Sequence, residues 1–213
     1  MDGNNRWSKK NNKSKEYSYN KGAKKLIKLS NYIFTKTKVN YISAFALSKN
    51  NMNRSKTIIN VIKNILTEFA NTELTEKKLN YGLVFIGDLG FLDQKTRYQL
   101  FDLQSYGERF VKKLIIYINY SGSDDIIHSA KEIIKQKKPI TISNFKNNLL
   151  TSNFLDPDLL IRTGGFQRIS DFMLFQLSFT ELFFFKKLWP DLSIENINKT
   201  ITQYNLIERK FGI

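Results

Sequence analysis

The chain has 213 residues, no cysteine and a formal net charge of +15, from 34 lysines and arginines against 19 acids. This length is typical of one compact domain, and the lack of cysteine excludes a disulfide framework or a thiolate metal site. We expect neither a secretory signal nor a membrane span, because Gln176 and Glu181 interrupt the most apolar stretch. We therefore expect a cytoplasmic protein.

Short β-rich runs alternate with helical patterns along the chain. In chain order we predict a helix over 21–34, a strand over 39–47, a helix over 57–70, a strand over 83–86, a helix over 93–110, a strand over 114–120, a helix over 124–137, strands over 159–161 and 182–185, and a helix over 194–211. Segment 9–19 is the most loop-like. The alternation predicts a single α/β domain over residues 1–213, with a mostly parallel central β-sheet flanked by helices.

Two polar blocks directly follow predicted strands, one over 48–54 and one that starts at Arg162. In parallel sheets, ligands bind outside the carboxyl ends of the strands. The later block places Arg162 and Arg168 on either side of a Gly-Gly turn, with Ser170 two residues further on. Guanidinium groups bind phosphate oxygens in pairs, and glycine lets the backbone approach them. This pattern predicts an anion site, over which Glu181 could hold a metal.

The N-terminus carries a related combination of side chains. An acid, a glycine, two amides and an arginine lie between Asp2 and Arg6. Magnesium prefers oxygen ligands and often bridges a carboxylate to a substrate phosphate. Taken alone, a loop rich in glycine and asparagine is more often a plain turn. Its pairing with the arginines of the later block favours a shared phosphate site.

These segments together resemble the cis-prenyltransferases, the family of undecaprenyl diphosphate synthase. The family begins Met-Asp-Gly-Asn-Gly-Arg-Trp-Ala, and this chain begins Met-Asp-Gly-Asn-Asn-Arg-Trp-Ser. The family's late block, with Ile-Arg-Thr-Gly-Gly, Arg-Ile-Ser and Leu-Trp-Pro-Asp, matches residues 158–191. Blocks at 45–54, 86–88, 119–122 and 208–212 fall in the family order, so the resemblance covers the whole chain. The family strand that precedes Asp-Gly is missing here, and we expect a start codon upstream.

The resemblance implies that isopentenyl diphosphate is condensed with an allylic diphosphate, with farnesyl diphosphate expected, to make a cis-polyprenyl diphosphate. The product would be a lipid carrier for cell-envelope glycan synthesis. By the resemblance, Mg²⁺ is held by Asp2 and Glu181, with Glu181 expected near a dimer interface, and Asp2 and Asn51 are catalytic. The substrate-binding residues it implies are Gly3, Asn4, Asn5, Arg6, Trp7, Lys15, Tyr19, Ser48, Lys49, Asn50, Met52, Arg54, Arg162, Arg168, Ile169 and Ser170.

Several positions depart from the family pattern, and together they permit reduced or altered activity. The departures are Asn5 for glycine, Lys15 for arginine, Tyr19 for histidine, Asn50 for an acid, Met52 for tryptophan, Ser123 for arginine, Phe166 for glutamate and Asp171 for asparagine. Trp7 and Met52 could contact the allylic chain or pack in the core. The helices over 57–70 and 93–110 could line a product tunnel, although apolar helical stripes are more often core.

Two alternatives belong to other classes of protein. The first is a non-catalytic scaffold of the same fold that binds a catalytic partner; such relatives usually lose the metal-site acid, whereas Asp2 and Glu181 are both present here. The second is a basic nucleic-acid-binding module, which would need aromatic stacking positions on a lysine-rich face. We expect no nucleic-acid partner. The resemblance implies a homodimer, and a long lipid product implies peripheral contact with a membrane.

Overall fold

The computed structural model describes residues 1–52, 56–76 and 78–209. The strands are β1 (Tyr41–Ser48), β2 (Gly82–Ile86), β3 (Lys113–Tyr120), β4 (Leu159–Arg162) and β5 (Glu181–Phe184). The helices are α1 (Asn4–Lys10), α2 (Lys15–Lys36), α3 (Lys56–Glu76), α4 (Gln94–Gly107), α5 (Gly122–Lys135), α6 (Ile142–Asn147) and α7 (Ile194–Asn205). Short 3-10 turns occupy Lys49–Asn51 and Trp189–Asp191.

All the strand pairs in the described part of the chain are parallel. The central strand β3 lies between β1 and β2, and Ile115 is opposite both Ser43 and Val84. Strands β4 and β5 form a second, two-stranded sheet. The predicted class, parallel strands flanked by helices, is confirmed. The division of the strands into two sheets is a detail that the sequence did not indicate.

Alternate residues of β3 face two different cores, as the period of two in a strand requires. Leu114, Ile116 and Ile118 pack in a cluster with α2, α3 and α4, while Ile115 and Tyr117 face a smaller, aromatic cluster. All five of these side chains are 6% exposed or less. The central strand is therefore covered on both faces, and its carboxyl end leads directly into the polar residues described below.

The predicted loop over 9–19 is wrong, because α1 and α2 occupy most of it. Helix α2 begins at Lys15, since the Ser14 side chain accepts a hydrogen bond of 3.0 Å from the Tyr17 amide and caps the first turn. Helices α1 and α6 were not predicted: they are seven and six residues long, too short for a clear apolar period. Helix α7 ends at Asn205 rather than at residue 211.

The apolar stripe of α3 is part of the core. Ile58, Ile62 and Leu66 are 7–9% exposed and belong to the larger cluster. The alternative that this stripe is core packing is therefore supported by its burial. None of the described helices has the length and apolar character needed to cross a bilayer.

Candidate functional site

Asp2 is fastened beside the end of β4 by backbone hydrogen bonds. Its amide donates to Thr163 Oγ1 at 3.0 Å, and the same hydroxyl donates to the Asp2 carbonyl at 2.9 Å. The Trp189 amide donates to that carbonyl as well, at 3.0 Å. Thr163 is 1% exposed. These bonds join residues more than 160 positions apart and fix where the Asp2 side chain begins.

The Asp2 carboxylate lies between two guanidinium groups. Its Oδ1 is 3.4 Å from Arg6 Nη2, and its Oδ2 is 3.1 Å from Arg162 Nη2. Arg6 also donates from Nη1 to the Gly164 carbonyl at 2.7 Å. Gly164 has φ +93°, and a Cβ at this position would collide with the Arg6 guanidinium. A carboxylate accepts about four hydrogen bonds, so Asp2 keeps acceptor capacity for a ligand.

Arg162 connects Asp2 to the loop that follows the Gly-Gly turn. Its Nη1 donates to Ser170 Oγ at 2.8 Å and to the Arg168 carbonyl. Its side chain is only 13% exposed, and the buried Nε has no hydrogen-bond partner among the described residues. Arg162 is thus held from both sides, which limits the positions its charged head can take.

The Phe166 ring is surrounded by the same arginines. The guanidinium carbons of Arg168, Arg6 and Arg162 lie 4.2, 4.9 and 5.8 Å from the ring centroid. Cations are attracted to the face of an aromatic ring within about 6 Å. With Asp2 as the acid of this group, the three arginines leave two net positive charges, which suit a ligand rich in phosphate oxygens.

A second polar region lies at the carboxyl ends of β1 and β3. It is an open cavity of about 860 Å³, lined by Lys49, Asn50, Met52, Asn119, Ser121, Ser123, Asp124, Asp171 and Leu174. Lys49 forms an ion pair with Asp124. The hydrogen bond with Asp124 raises the pKa of the Lys49 ammonium, and this ion pair lies on the cavity wall.

The rest of the 48–54 block follows β1 as predicted. Ser48 is the last residue of β1 and is half-buried, and Asn51 ends the 3-10 turn. Met52 packs against the core and also lines the cavity. Arg54 lies outside the described residues. Ile169 packs against the smaller, aromatic cluster.

Three predicted residues at the start of the chain lie in or before the first turn of α1. Gly3 precedes the helix with φ +110°, a conformation that suits glycine. A Cβ on Gly3 would lie 2.8 Å from Leu188 Cδ2. The side-chain oxygens of Asn4 and Asn5 are buried and find no hydrogen-bond partner within the described ranges. Both amides therefore have unused acceptor capacity.

Trp7 packs inside the protein. It is 5% exposed, and its indole N–H donates to Asp191 Oδ1 at 2.7 Å. This burial supports the packing alternative for Trp7. Lys15 is the first residue of α2 and is half-buried, and Tyr19, one turn later, packs against the core. Trp7 thus belongs to α1 itself, and Lys15 and Tyr19 belong to the first turns of α2.

Within one chain, Glu181 and Asp2 lie at different levels along the β4–β5 sheet. Glu181 begins β5 opposite Leu159, whereas Asp2 contacts Arg162, three residues further along β4. At about 3.3 Å per residue this separates the two acids by about 10 Å along the strand direction. No group of three or more histidine, cysteine or acidic side chains in the described part of the chain forms a cage for a metal ion.

Three residues of this region were missed as contributors from the sequence. Thr163 holds the Asp2 backbone, Phe166 contacts three arginines, and the carboxylate of Asp171 accepts hydrogen bonds from Ser123. The one hint of the role of Thr163 in the sequence is that it carries a hydroxyl and directly follows Arg162, the last residue of a strand. For Asp171 the hint is that aspartate adopts left-handed backbone conformations more readily than most residues.

Comparison with known sequences gives a consistent result over the whole chain. A family model described as "Putative undecaprenyl diphosphate synthase" matches residues 1–212. The chain is 34% identical to an isoprenyl transferase of Fusobacterium nucleatum, over all of this chain and 93% of that protein. It is 33% identical to dehydrodolichyl diphosphate synthase 4 of Arabidopsis thaliana, over all of this chain and 77% of that protein.

Solved structures agree. Lavandulyl diphosphate synthase from Lavandula x intermedia, in complex with dimethylallyl diphosphate, superposes with a TM-score of 0.91 and 26% identity, over all of this chain and 95% of that one. A probable undecaprenyl diphosphate synthase from Campylobacter jejuni superposes with a TM-score of 0.81 and 30% identity, over 91% of this chain and 92% of that one.

Proposed function

Since the chain belongs to the undecaprenyl diphosphate synthase family of prenyltransferases, we propose that it condenses isopentenyl diphosphate with an allylic diphosphate, farnesyl diphosphate first among the candidates. The product would be a cis-polyprenyl diphosphate. The observation that carries this proposal is the Asp2 carboxylate between Arg6 and Arg162, at 3.4 and 3.1 Å. A carboxylate and several guanidiniums in one place can share a metal-bound diphosphate and neutralise its charge.

The first task is to break the allylic carbon–oxygen bond. Negative charge grows on the leaving diphosphate, and Arg6 has further N–H groups, besides the one that donates to the Gly164 carbonyl, that can donate to its oxygens. The half-exposed Asp2 oxygens fit a hard cation whose other ligands are water and phosphate. When bound there, Mg²⁺ would supply charge neutralisation for the leaving group.

The second task is to orient the isopentenyl diphosphate. Arg162, Arg168 and Ser170 lie together at the carboxyl end of β4, and two net positive charges surround Phe166. We assign these residues to its diphosphate. Holding both substrates in one geometry removes much of the entropic barrier of a two-substrate reaction.

The third task is to remove a proton after the new carbon–carbon bond forms. Asn51 lies in the turn after β1, next to the cavity residues Lys49 and Asn50. An uncharged amide is a weak base. We propose that the released diphosphate accepts the proton and that Asn51 orients the reacting carbon.

We also propose a homodimer. Glu181 lies too far along β5 to join Asp2 in its own chain. Next to it in the chain, Phe179 and Leu182 are 61% and 44% exposed. Apolar residues exposed beside an edge strand are typical of an interface between chains. Sedimentation at micromolar concentration should give a mass of about twice 25.0 kDa; a monomer at that concentration would contradict the dimer.

The place of the reaction follows from the chemistry of its substrates. The diphosphates are charged and the product is a long hydrocarbon, so we place the enzyme at the cytoplasmic face of a membrane, in peripheral contact with it. A carrier role in cell-envelope glycan synthesis is the use we propose for the lipid. Recovery of labelled product in the vesicle fraction would support this placement, and product that stays in the aqueous fraction would count against it.

The test is turnover of labelled isopentenyl diphosphate with farnesyl diphosphate and Mg²⁺, with products separated by chain length. We expect polyprenyl product from the parent chain and a loss of at least about a hundredfold in kcat for Asp2→Ala, since one electrostatic group is worth that much in an active site. Lys9→Ala, on the exposed end of α1, is the matched control and should keep full activity.

Two outcomes would redirect the proposal. Full activity in the Asp2→Ala variant would remove Asp2 from the mechanism. A folded parent chain that makes no product under any primer or metal would favour the scaffold alternative and a search for a catalytic partner.

A further inference from the structure

The loop that carries Ser170 is tied to the start of α5 by one acid. Asp171 Oδ1 accepts hydrogen bonds from the Ser123 amide at 2.9 Å and from Ser123 Oγ at 2.7 Å. The Asp171 carbonyl accepts from the Gly122 amide at 2.8 Å. A Cβ on Gly122 would contact this carbonyl at 3.1 Å, so the close approach suits glycine. The loop and the helix are therefore joined at three points.

The backbone of this loop is unusual. Ser170, Asp171 and Met173 have φ values of 53°, 62° and 48°, in the left-handed region that few non-glycine residues adopt. Phe172 and Met173 are 9% and 2% exposed and anchor one side of the loop in the aromatic cluster. Asp171 anchors the other side, because a carboxylate at a helix N-terminus accepts amide hydrogens that lack partners within the helix.

These contacts continue to the arginines that surround Phe166. Ser170 directly precedes Asp171, and its Oγ accepts from Arg162, which contacts Asp2 in turn. Building on the proposed function, we propose that Asp171 is a positioning residue for the isopentenyl diphosphate subsite. By holding the loop in its left-handed form, it sets the distance from Ser170 to Arg162. It acts on binding through these side chains and need not contact the substrate.

Ser123 and Asp171 also depart together from the family pattern, where arginine and asparagine stand. Both line the same cavity, as do Asn50 and Met52, which depart as well. The two departures are in direct contact, because the Asp171 carboxylate accepts from both Ser123 donors.

The test uses three variants. They distinguish the effect of the Asp171 acceptor oxygen from the effect of the left-handed backbone conformation at this position. Asp171→Gly removes the carboxylate but suits a φ of 62°, and Asp171→Asn keeps an acceptor oxygen and also tolerates that φ. Ser123→Ala removes only the hydroxyl donor. For each, we would measure KM for isopentenyl diphosphate, kcat, calorimetric affinity for inorganic diphosphate and the thermal midpoint.

We expect Asp171→Gly to raise KM and weaken diphosphate affinity by about tenfold, because Ser170 loses its fixed position beside Arg162, with kcat within about twofold. Asp171→Asn should restore values close to those of the parent, and Ser123→Ala should fall between the two. A general structural defect would instead lower the thermal midpoint and kcat together, and Asn would not rescue KM.

Parent-like KM and diphosphate affinity in Asp171→Gly, with turnover intact, would overturn the positioning role alone. If diphosphate affinity depends on Asp171 but the parent makes no prenyl product, the positioning role stands and the proposed function fails.

Discussion

Phe166 shows how one aromatic residue can organise several charges. Its ring is 41% exposed, yet three guanidiniums lie within 5.8 Å of its centroid. The family pattern has a glutamate here, which would pair with one or two of these arginines and cancel a positive charge. The ring attracts the guanidiniums without adding a negative charge, so the two net positive charges left after pairing with Asp2 remain for phosphate oxygens.

Replacing the ring by an aliphatic side chain should therefore weaken diphosphate binding. For Phe166→Leu we expect calorimetric affinity for inorganic diphosphate to fall by about fivefold, from the loss of roughly 1 kcal/mol of cation–π attraction. Phe166→Tyr keeps the ring and is the matched control, with affinity close to that of the parent. A leucine variant that binds as tightly as the parent would show that the arginines are ordered by other contacts.

At the element scale, prediction succeeded where the pattern was long and periodic. The five strands and the helices over 93–110 and 124–137 were predicted to within three residues at each end, because apolar period and β-branched runs mark them clearly. The helix predicted over 57–70 begins within one residue of α3, which continues six residues further to Glu76. Helices α1 and α6 carry no such signal. Helix α6 begins at a local cap, since the side chain of Thr141 accepts from the Asn144 amide at 3.2 Å, whereas α1 follows Gly3 without a side-chain cap.

The two-sheet division has a different cause. Strands β4 and β5 are four residues long, and no β4 residue is fully buried. A short strand does not reveal from its own sequence which neighbour it will bond, because pairing depends on contacts between distant segments. The order of the elements was therefore predictable, but the hydrogen-bond partners of the last two strands were not.

At the scale of the whole molecule, the candidate site is an assembly of remote residues. The resemblance indicated Asp2, Arg6, Arg162 and Ser170, and the structure places these four in one chain of contacts. Whether they bind the proposed substrates stays a prediction. Where Glu181 lies relative to Asp2 depends on strand register, which residue type alone does not fix.

Buried phenols make the stability of the fold sensitive to alkali. Burial raises the pKa of Tyr81 above the usual value of 10, and the charge of Glu73 adds to this. Below pH 10 the phenol is protonated in both states. Above pH 10 the unfolded chain loses its proton first, so the free energy of unfolding falls as pH rises. The Tyr81 hydroxyl has no hydrogen-bond partner in the described part of the chain.

We expect Tyr81→Phe to be at least as stable as the parent at pH 8, because its ring still packs on Phe34 and a buried unpaired hydroxyl is removed. Its urea midpoint should fall less steeply between pH 10 and about 11. Tyr98→Phe removes an exposed phenol and is the control, with the slope of the parent. Equal slopes for both variants would show that burial of Tyr81 does not set the alkaline limit.

The reciprocal hydrogen bonds between Asp2 and Thr163 also affect when the site can form while the chain is being synthesised. Asp2 leaves the ribosome 161 residues before the hydroxyl that fastens it. At roughly 5–20 residues per second the first residues wait about 8–30 s for this contact. During that time α1 has no Trp189 and no Arg162 to dock against. The three-stranded sheet can form once β3 has been made, because β1 and β2 both pair with β3. The Asp2 carboxylate can join Arg162 only after β4 has been made as well.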